Sequence, residues 1–284
     1  MRRAIGALIA GALALAAATG CDRGARPPAD GPRLVTLTPS ATEIVAALGA
    51  ADALVGVDDY STYPPSVTAL PKVGSFIAPS FERIVALRPT LVIADDVHDD
   101  AARALGGAGL AVLKIPMHGL PDVLTALTTV GERLGRPEAA AARAAAIAAA
   151  RDAAGRRGVG RARRVLIVID RTASLDGMIA AANGSWMDEL VAITGAANVL
   201  AGAATRYPKL SAEELIRTRP DTILDVSYAA DPATALAEWR SRPELASVPA
   251  VAAGRIVVLK APYFLAPSPR VDLALAELEG ALGP

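Results

Sequence analysis

The chain has 284 residues, of which 52% are hydrophobic and 20% are charged, and its formal net charge at pH 7 is zero. This composition is typical of a folded protein with one large or two modest domains, and it excludes an intrinsically disordered chain. The charges are balanced and form no long basic run, so no nucleic-acid partner is expected.

The first 20 residues have the layout of an export signal. Two arginines precede an apolar stretch at residues 4–18, which is shorter than the roughly 20 residues that a membrane-spanning helix needs. We therefore predict that residues 1–20 are a cleaved signal peptide. Cys21, the only cysteine in the sequence, follows small residues in an arrangement that resembles a bacterial lipobox, which implies a lipid on Cys21. An ordinary signal peptide with an incidental cysteine is the alternative.

Residues 21–32 form a polar segment rich in Pro and Gly, which is typical of a tether. The resemblance to lipoproteins implies attachment to a membrane through the N-terminal lipid. The protein would then lie on the periplasmic side of the inner membrane, as Asp22 favours, or on the outer face of the cell membrane.

From residue 33 onward, short aliphatic runs alternate with helical stretches. Strands are predicted within residues 33–38, 54–58, 91–95, 110–115, 164–170, 222–226 and 255–260. Helices are predicted from residue 40 to near residue 49, and at residues 185–193, 212–217 and 270–282. This alternation predicts an α/β fold with parallel βαβ units.

Two segments of the chain repeat the same pattern. Residues 80–95, SFERIVALRPTLVIAD, and residues 211–226, SAEELIRTRPDTILDV, share a serine, a glutamate two residues later, an Arg-Pro pair and an aliphatic run. GAADALVG at residues 49–56 returns as GAANVLAG at residues 195–202, and a Tyr-Pro pair follows each copy. Either likeness alone could be chance, but their shared order predicts two similar lobes, at residues 33–118 and 159–284.

An alanine-rich segment at residues 136–157 lies between the predicted lobes. Gly135 can end the preceding helix, and Pro137 suits the first turn of the next one. Alanine has the highest helix propensity, whereas a flexible linker would contain more Gly and Ser. Residues 119–158 are therefore predicted to be a helical connection that includes a strut about 30 Å long.

The lipobox, RLVTLTPSATEIVAALGA, VGVDDYSTYPP, ERIVALRPTLVI, the strut and the terminal SPRV helix together resemble the substrate-binding proteins of metal-chelate ABC importers. That family handles cobalamin, ferric siderophores and haem, and the spacing through YSTYPP and GSFIAPSFERI is most like its cobalamin-binding members. The resemblance implies two Rossmann-like lobes joined by a single long backbone helix, the class III periplasmic-binding-protein fold. It also implies a ligand held between the lobes, with no catalytic activity and no cofactor.

The resemblance further implies that one glutamate on each lobe docks into arginines of a dimeric ABC permease, which works with its ATPase. The matching positions are Glu82 and Glu213, one in each copy of the repeat. The alternative role is local, because both glutamates lie in the first turn of a predicted helix, where acidic residues stabilise the helix dipole. Ser211 and Glu214 also fit a capping box.

Aromatic residues in predicted loops are the candidate ligand contacts, since a flat ring system needs apolar and aromatic walls. The family pattern gives cleft positions matching Tyr60, Phe76, Tyr207, Tyr263 and Phe264. Packing beneath the loops is the alternative for each of these side chains. A corrin-like ligand is favoured over haem because Ser75 stands where haem binders commonly carry a ligating tyrosine. The apolar stretch APYFLAPSPR departs from the polar residues that are usual in cobalamin binders.

His98 follows a predicted strand within DDVHDD, so it could offer a nitrogen to a metal centre, although a solvated loop is the alternative. The sequence has only two histidines, so no site for a free metal ion is predicted. An exported lipoprotein enzyme is the rival hypothesis, but no G-x-S-x-G elbow is present. A ligand sensor or adhesive lipoprotein with the same fold also stays open.

Overall fold

The computed structural model describes residues 31–158, 163–175, 177–227 and 232–283. The predicted signal peptide and the predicted lipidation site, Cys21, lie outside the described residues, as does all but the last part of the predicted tether. Pro32–Pro284 form one compact unit. Within the described ranges, no helix is both long enough and apolar enough to cross a membrane.

The elements of the first half are β1 (Leu34–Thr36), α1 (Pro39–Ala47), β2 (Leu54–Gly56), β3 (Gly74–Ser75), β4 (Ala78–Pro79), α2 (Phe81–Ala86), β5 (Leu91–Ala94), α3 (Asp99–Gly107), β6 (Val112–Lys114) and α4 (Leu120–Arg133). The elements that follow are α5 (Pro137–Gly158), β7 (Arg164–Asp170), β8 (Met178–Ala180), α6 (Trp186–Ile193), β9 (Ala197–Asn198), β10 (Lys209–Leu210), α7 (Ala212–Thr218), β11 (Thr222–Asp225), α8 (Pro232–Arg240), α9 (Pro249–Ala252), β12 (Ile256–Val258) and α10 (Val271–Leu282).

Two sheets contain the parallel strands. The first sheet has the order β2-β1-β5-β6, and all of its neighbouring strands are parallel. In the second sheet, β9, β7, β11 and β12 are parallel in the equivalent order. Two further strands extend this sheet: β8 pairs antiparallel with β7, and β10 pairs antiparallel with β8. The four parallel strands follow the same chain order in both sheets. Each half is therefore a Rossmann-like α/β lobe, as predicted.

The repeated sequence gives the same local structure twice. α2 and α7 each begin after a serine that accepts a hydrogen bond from the backbone nitrogen three residues later, at 3.4 Å for Ser80 and 3.2 Å for Ser211. Each helix is followed by an arginine in the left-handed region, with φ of 47° at Arg88 and 46° at Arg219. This conformation ends the helix and turns the chain into the proline that precedes the next strand.

An arginine at the start of each lobe completes this correspondence. Arg33 Nη2 lies 2.6 Å from the carbonyl oxygen of Leu87, and Arg164 Nη2 lies 2.7 Å from that of Thr218. Both carbonyls are at the end of a helix, where cationic donors satisfy unpaired oxygens and interact favourably with the helix dipole. The first strand of each lobe is thereby tied to the helix of its repeat.

The predicted strut is α5, which has 22 residues and a length of about 33 Å. Its buried residues include Ala140, Ile147 and Ala154, spaced seven apart along one face. They belong to one hydrophobic cluster that also contains Leu34 of β1 and Val165 of β7. The strut therefore does more than separate the lobes, because its buried face belongs to one hydrophobic cluster that includes residues of both sheets.

Candidate ligand-binding cleft

A buried ion pair between Glu43 and Arg270 joins the first lobe to the second. Glu43 lies in α1, directly after β1, and Arg270 directly precedes α10. Arg270 Nε is 3.0 Å from Glu43 Oε2, and both Arg270 Nη2 and the Ser268 hydroxyl also donate to the Glu43 carboxylate. Ligands of open α/β folds bind outside the carboxyl ends of the strands, so this junction is the floor of the candidate cleft.

Two tyrosine rings enclose the Arg270 side chain at this floor. Its guanidinium carbon is 4.0 Å from the ring centroid of Tyr63 and 4.8 Å from that of Tyr263. The Tyr263 hydroxyl donates a hydrogen bond of 2.5 Å to Glu277. Burial, together with this bond, raises the pKa of Tyr263 to about 12, so its phenol is protonated at physiological pH. Cation–π contacts of this kind hold aromatic side chains in fixed orientations.

Tyr60 is 62% exposed on the loop that follows β2. A buried polar network supports this loop: the Ser61 hydroxyl donates to Asp58 and lies 2.7 Å from the hydroxyl of Thr42, and Lys72 Nζ donates to the Ser61 carbonyl at 2.8 Å. Burial raises the pKa of Asp58. These buried hydrogen bonds hold the loop backbone in place, while the Tyr60 side chain stays largely exposed to solvent.

Tyr207 is 51% exposed on the second lobe, just before β10. Its neighbours along the chain are bonded to the strand region of β8. The backbone nitrogen of Ala180 donates to Pro208 at 3.0 Å, and that of Ala182 donates to Arg206 at 2.8 Å. The second lobe therefore presents an exposed aromatic ring on a backbone held against its sheet.

Phe76 is 37% exposed at the turn between β3 and β4, and His98 packs against it. His98 Nδ1 accepts from the backbone nitrogen of Asp95 at 3.1 Å, and Nε2 lies 2.6 Å from the carbonyl oxygen of Phe76. With 5% exposure and both nitrogens bonded, His98 has no nitrogen to offer a metal. This placement does not support a contact between the His98 imidazole and a ligand. The His98 side chain is buried although Asp96, Asp99 and Asp100 around it are exposed, so the loop is solvated only in part.

The expectation for Phe264 is also corrected. Its ring is 1% exposed and belongs to the hydrophobic cluster shared by the lobes, so it has no free face for a ligand. It meets the ring of Tyr263 edge-on, with centroids 4.8 Å apart. The one-turn helix Pro262–Phe264 explains the difference, because it directs these adjacent side chains to different surroundings. Trp186 Nε1 donates to the Tyr263 carbonyl at 2.8 Å and further fixes this turn.

Glu82 and Glu213 are both exposed, each in the first turn of its helix. The capping box of α7 is formed by Ser211 and Glu214, so helix capping does not require the side chain of Glu213. No ion pair of Glu82 or Glu213 is found within the described part of the chain. Both carboxylates are thus available to an external partner.

Among the described residues, Asp95, Asp96 and His118 bring potential metal-ligand atoms within 4.8 Å of one another. His118 Nε2 lies 3.0 Å from both oxygens of Asp96. This contact raises the pKa of His118, and the pKa of Asp96 is lowered by its hydrogen bonds to Asp95 and His118. A metal ligand must be a neutral imidazole, whereas this pairing favours the imidazolium. His118 and Asp96 therefore form an ion pair when the imidazole is protonated.

A buried ion pair at the carboxyl ends of β7 and β11 was not predicted. Arg171 Nε donates to Asp225 at 2.5 Å, and Nη1 donates to Glu238 at 2.7 Å. The side chains of Arg171 and Asp225 are 2% and 0% exposed. Arg171 follows a strongly apolar strand, and that position was the available sequence signal. The pair joins the residue that follows β7 to the last residue of β11.

Two α/β lobes, one connecting helix and exposed aromatic side chains on both lobes define a binding protein of class III architecture. The family model described as Periplasmic binding protein matches residues 34–263, and the chain belongs to this family. It is therefore a substrate-binding protein of the periplasm rather than an enzyme.

Three relatives illustrate the range of the family. The chain is 25% identical over 253 residues to the vitamin B12-binding protein of Salmonella choleraesuis, covering 88% of this chain and 90% of that one. The periplasmic heme-binding protein RhuT from Roseiflexus sp. RS-1 has 31% identity and a TM-score of 0.77, covering 88% and 97%. The vitamin B12-binding protein BtuF of Vibrio cholerae has 24% identity and a TM-score of 0.75, covering 88% and 96%, which supports the fold alone.

Proposed function

We propose that the chain is the substrate-binding lipoprotein of an ABC importer and that it captures a metal chelate between its lobes. The observation that carries the proposal is the exposure of Tyr60 and Phe76 on the first lobe and of Tyr207 on the second. Large aromatic side chains left exposed near a cleft indicate a binding surface. Flat macrocycles suit such a surface, because both of their faces can stack on aromatic rings.

The favoured ligand is cobalamin. Vitamin B12-binding relatives match almost the whole chain, and a corrin cobalt brings its own axial ligands. A haem iron takes at least one axial ligand from the protein. His98 is fully bonded within the protein, and Ser75 replaces the tyrosine that is common in haem binders. Haem is the second candidate because the heme-binding structure has the higher identity, 31%. A ferric siderophore is a third alternative.

Titration of the mature protein with cyanocobalamin, haemin and a ferric siderophore tests the proposal. A ligand that binds only the folded state, at 100 times its Kd, raises the free energy of unfolding by about 2.7 kcal/mol. We expect Tyr60→Ala and Tyr207→Ala to weaken binding by about tenfold each, which corresponds to roughly 1.4 kcal/mol. Phe81→Ala is the matched control. Phe81 is an exposed aromatic residue, at 43%, but it lies in the first turn of α2 and is not one of the predicted ligand contacts. No stabilisation by any of the three ligands contradicts the proposal.

We further propose that a lipid on Cys21 anchors the protein and that Glu82 and Glu213 dock on a permease dimer, which works with its ATPase. The exposure of both carboxylates supports the docking role. Mass spectrometry of the mature N-terminus tests the anchor, since a lipid on Cys21 adds a defined mass. A Cys21→Ala variant recovered in the membrane fraction to the same extent as the wild type would contradict it.

A further inference from the structure

Phe76 lies on a hairpin that is too short to fix its own shape. β3 and β4 have two residues each and form two residue pairs, Gly74 with Pro79 and Ser75 with Ala78. Isolated hairpins are marginally stable even when longer. Ile77, the other residue of the turn, is 87% exposed, so packing from the solvent side does not hold the turn.

The base of this hairpin is well anchored, in contrast to its turn. The backbone nitrogen of Ser80 donates to Val73 at 2.7 Å, and that of Asp59 donates to Gly74 at 2.9 Å. Gly74 has φ of 110°, and an added Cβ there would lie 2.5 Å from the carbonyl oxygen of Ala78. The two strands therefore meet closely at the base, and the orientation of the turn depends on a contact elsewhere.

His98 supplies that contact. A backbone N–H of Asp95 points at Nδ1, so Nδ1 is the acceptor and Nε2 carries the proton that is donated to the Phe76 carbonyl. The imidazole also meets the Phe76 ring edge-on, with centroids 5.3 Å apart and an interplanar angle of 72°. His98 thus connects the end of β5, a rigid part of the sheet, to the residue that carries the exposed ring.

We propose that His98 is a positioning residue that sets the orientation of Phe76 and thereby the affinity of the cleft for a flat macrocyclic chelate. The inference rests on the proposed function. A side chain already held in its bound orientation loses less conformational entropy on binding, which strengthens affinity without any contact between His98 and the ligand.

Two amide substitutions separate the roles of the two nitrogens. In His98→Gln the amide nitrogen can take the place of Nε2 and keep the bond to Phe76, whereas His98→Asn keeps only an acceptor near Nδ1. Titrations with cyanocobalamin and haemin should show Kd within about threefold of wild type for His98→Gln and about tenfold weaker for His98→Asn. In a Phe76→Ala background, His98→Asn should have no further effect, because residues that act through one another are not additive.

An unchanged Kd in His98→Asn, or the same loss with and without the Phe76 ring, overturns the inference. If His98→Asn does not fold, hydrogen exchange of the wild-type backbone amides provides the test. Ligand should slow exchange both within residues 74–79 and at His98. Slower exchange in the hairpin without slower exchange at His98, or the reverse, overturns the inference. Wild-type protein that binds neither cyanocobalamin nor haemin overturns this inference, and protein that also fails to bind a ferric siderophore overturns the proposed function with it. Binding that is insensitive to His98 overturns this inference alone.

Discussion

Arg270 supplies the positive charge that pairs with Glu43 across the lobes, and Ser268 adds a hydrogen bond to the same carboxylate. The side chains of Arg270 and Glu43 are 12% and 6% exposed. Replacing Arg270 leaves a buried carboxylate without its charged partner, and the loss of one member of a buried pair is strongly destabilising. The two tyrosines beside Arg270 would also lose the cation between them.

We expect Arg270→Ala to lower the free energy of unfolding by about 3–5 kcal/mol, as measured by urea denaturation. Arg103→Ala is the control, because the side chains of Arg103 and Asp100 are 76% and 97% exposed. Exposed pairs contribute less than about 1 kcal/mol. Equal losses in the two variants would show that the interlobe pair is not buried in solution.

Asp95 predicts a pH dependence of stability. Burial, with a contribution from the neighbouring Asp96, raises the pKa of Asp95 from 3.8 to about 6. Between these values the folded protein retains a proton that the unfolded chain releases, so the free energy of unfolding falls as pH rises. Asp95→Asn keeps the bond from the Val97 nitrogen but cannot titrate.

The stability of the wild type relative to Asp95→Asn should therefore fall between about pH 4 and pH 6 and stay constant above pH 7. Urea denaturation at one-unit pH intervals measures this difference. A constant difference from pH 4 to pH 7 would mean that the carboxyl group titrates at its ordinary pKa.

The sequence predicted the exposed aromatic residues of the candidate cleft better than its floor. Tyr60, Phe76 and Tyr207 stand next to turn residues, and position alone indicated a loop. Glu43 and Arg270 are 227 positions apart, so their pairing depends on how the lobes fold against each other. The only local sign was Glu43 itself, because an acidic residue within the apolar run of α1 indicates that a buried partner balances its charge.

Elements were predicted well where the pattern extended over four or more residues. The repeated segments predicted α2 with β5 and α7 with β11, because a capping serine, an Arg-Pro pair and an aliphatic run occur together in each. β3, β4 and β10 have two residues each, and two residues cannot show the alternation that identifies a strand. These strands depend on their neighbours for hydrogen bonds, which are contacts that the local sequence does not encode.

Two glycines in the last turns of α5 differ in what surrounds them. A Cβ on Gly158 would lie 2.2 Å from the Thr194 carbonyl oxygen, whereas the nearest atom to a Cβ on Gly155 is 3.9 Å away. We expect Gly158→Ala to lower the free energy of unfolding by about 1–3 kcal/mol. Gly155→Ala should raise it by up to about 1 kcal/mol, because alanine favours the helix. Thermal denaturation distinguishes them, and equal effects would contradict close packing of α5 against α6.

At the scale of the whole molecule, the twofold repeat suits a twofold partner. We expect Glu82→Lys combined with Glu213→Lys to abolish ligand uptake while leaving ligand affinity unchanged, because reversed charges repel the arginines expected on the permease. Glu132→Lys is the control, since Glu132 is an exposed acidic residue of α4. Uptake assays in cells and titrations of the purified protein provide the two measurements. Uptake that persists in the double variant would contradict the docking roles.

The hydrophobic cluster that α5 shares with both sheets also determines how the protein melts. Ile147 of α5 is fully buried and belongs to the same cluster as Leu34 of the first sheet and Val165 of the second, so neither lobe can lose its packing without exposing part of the other. Calorimetry should record a single endotherm whose van 't Hoff and calorimetric enthalpies agree. The two halves resemble each other in sequence, yet heat should unfold them as one cooperative unit.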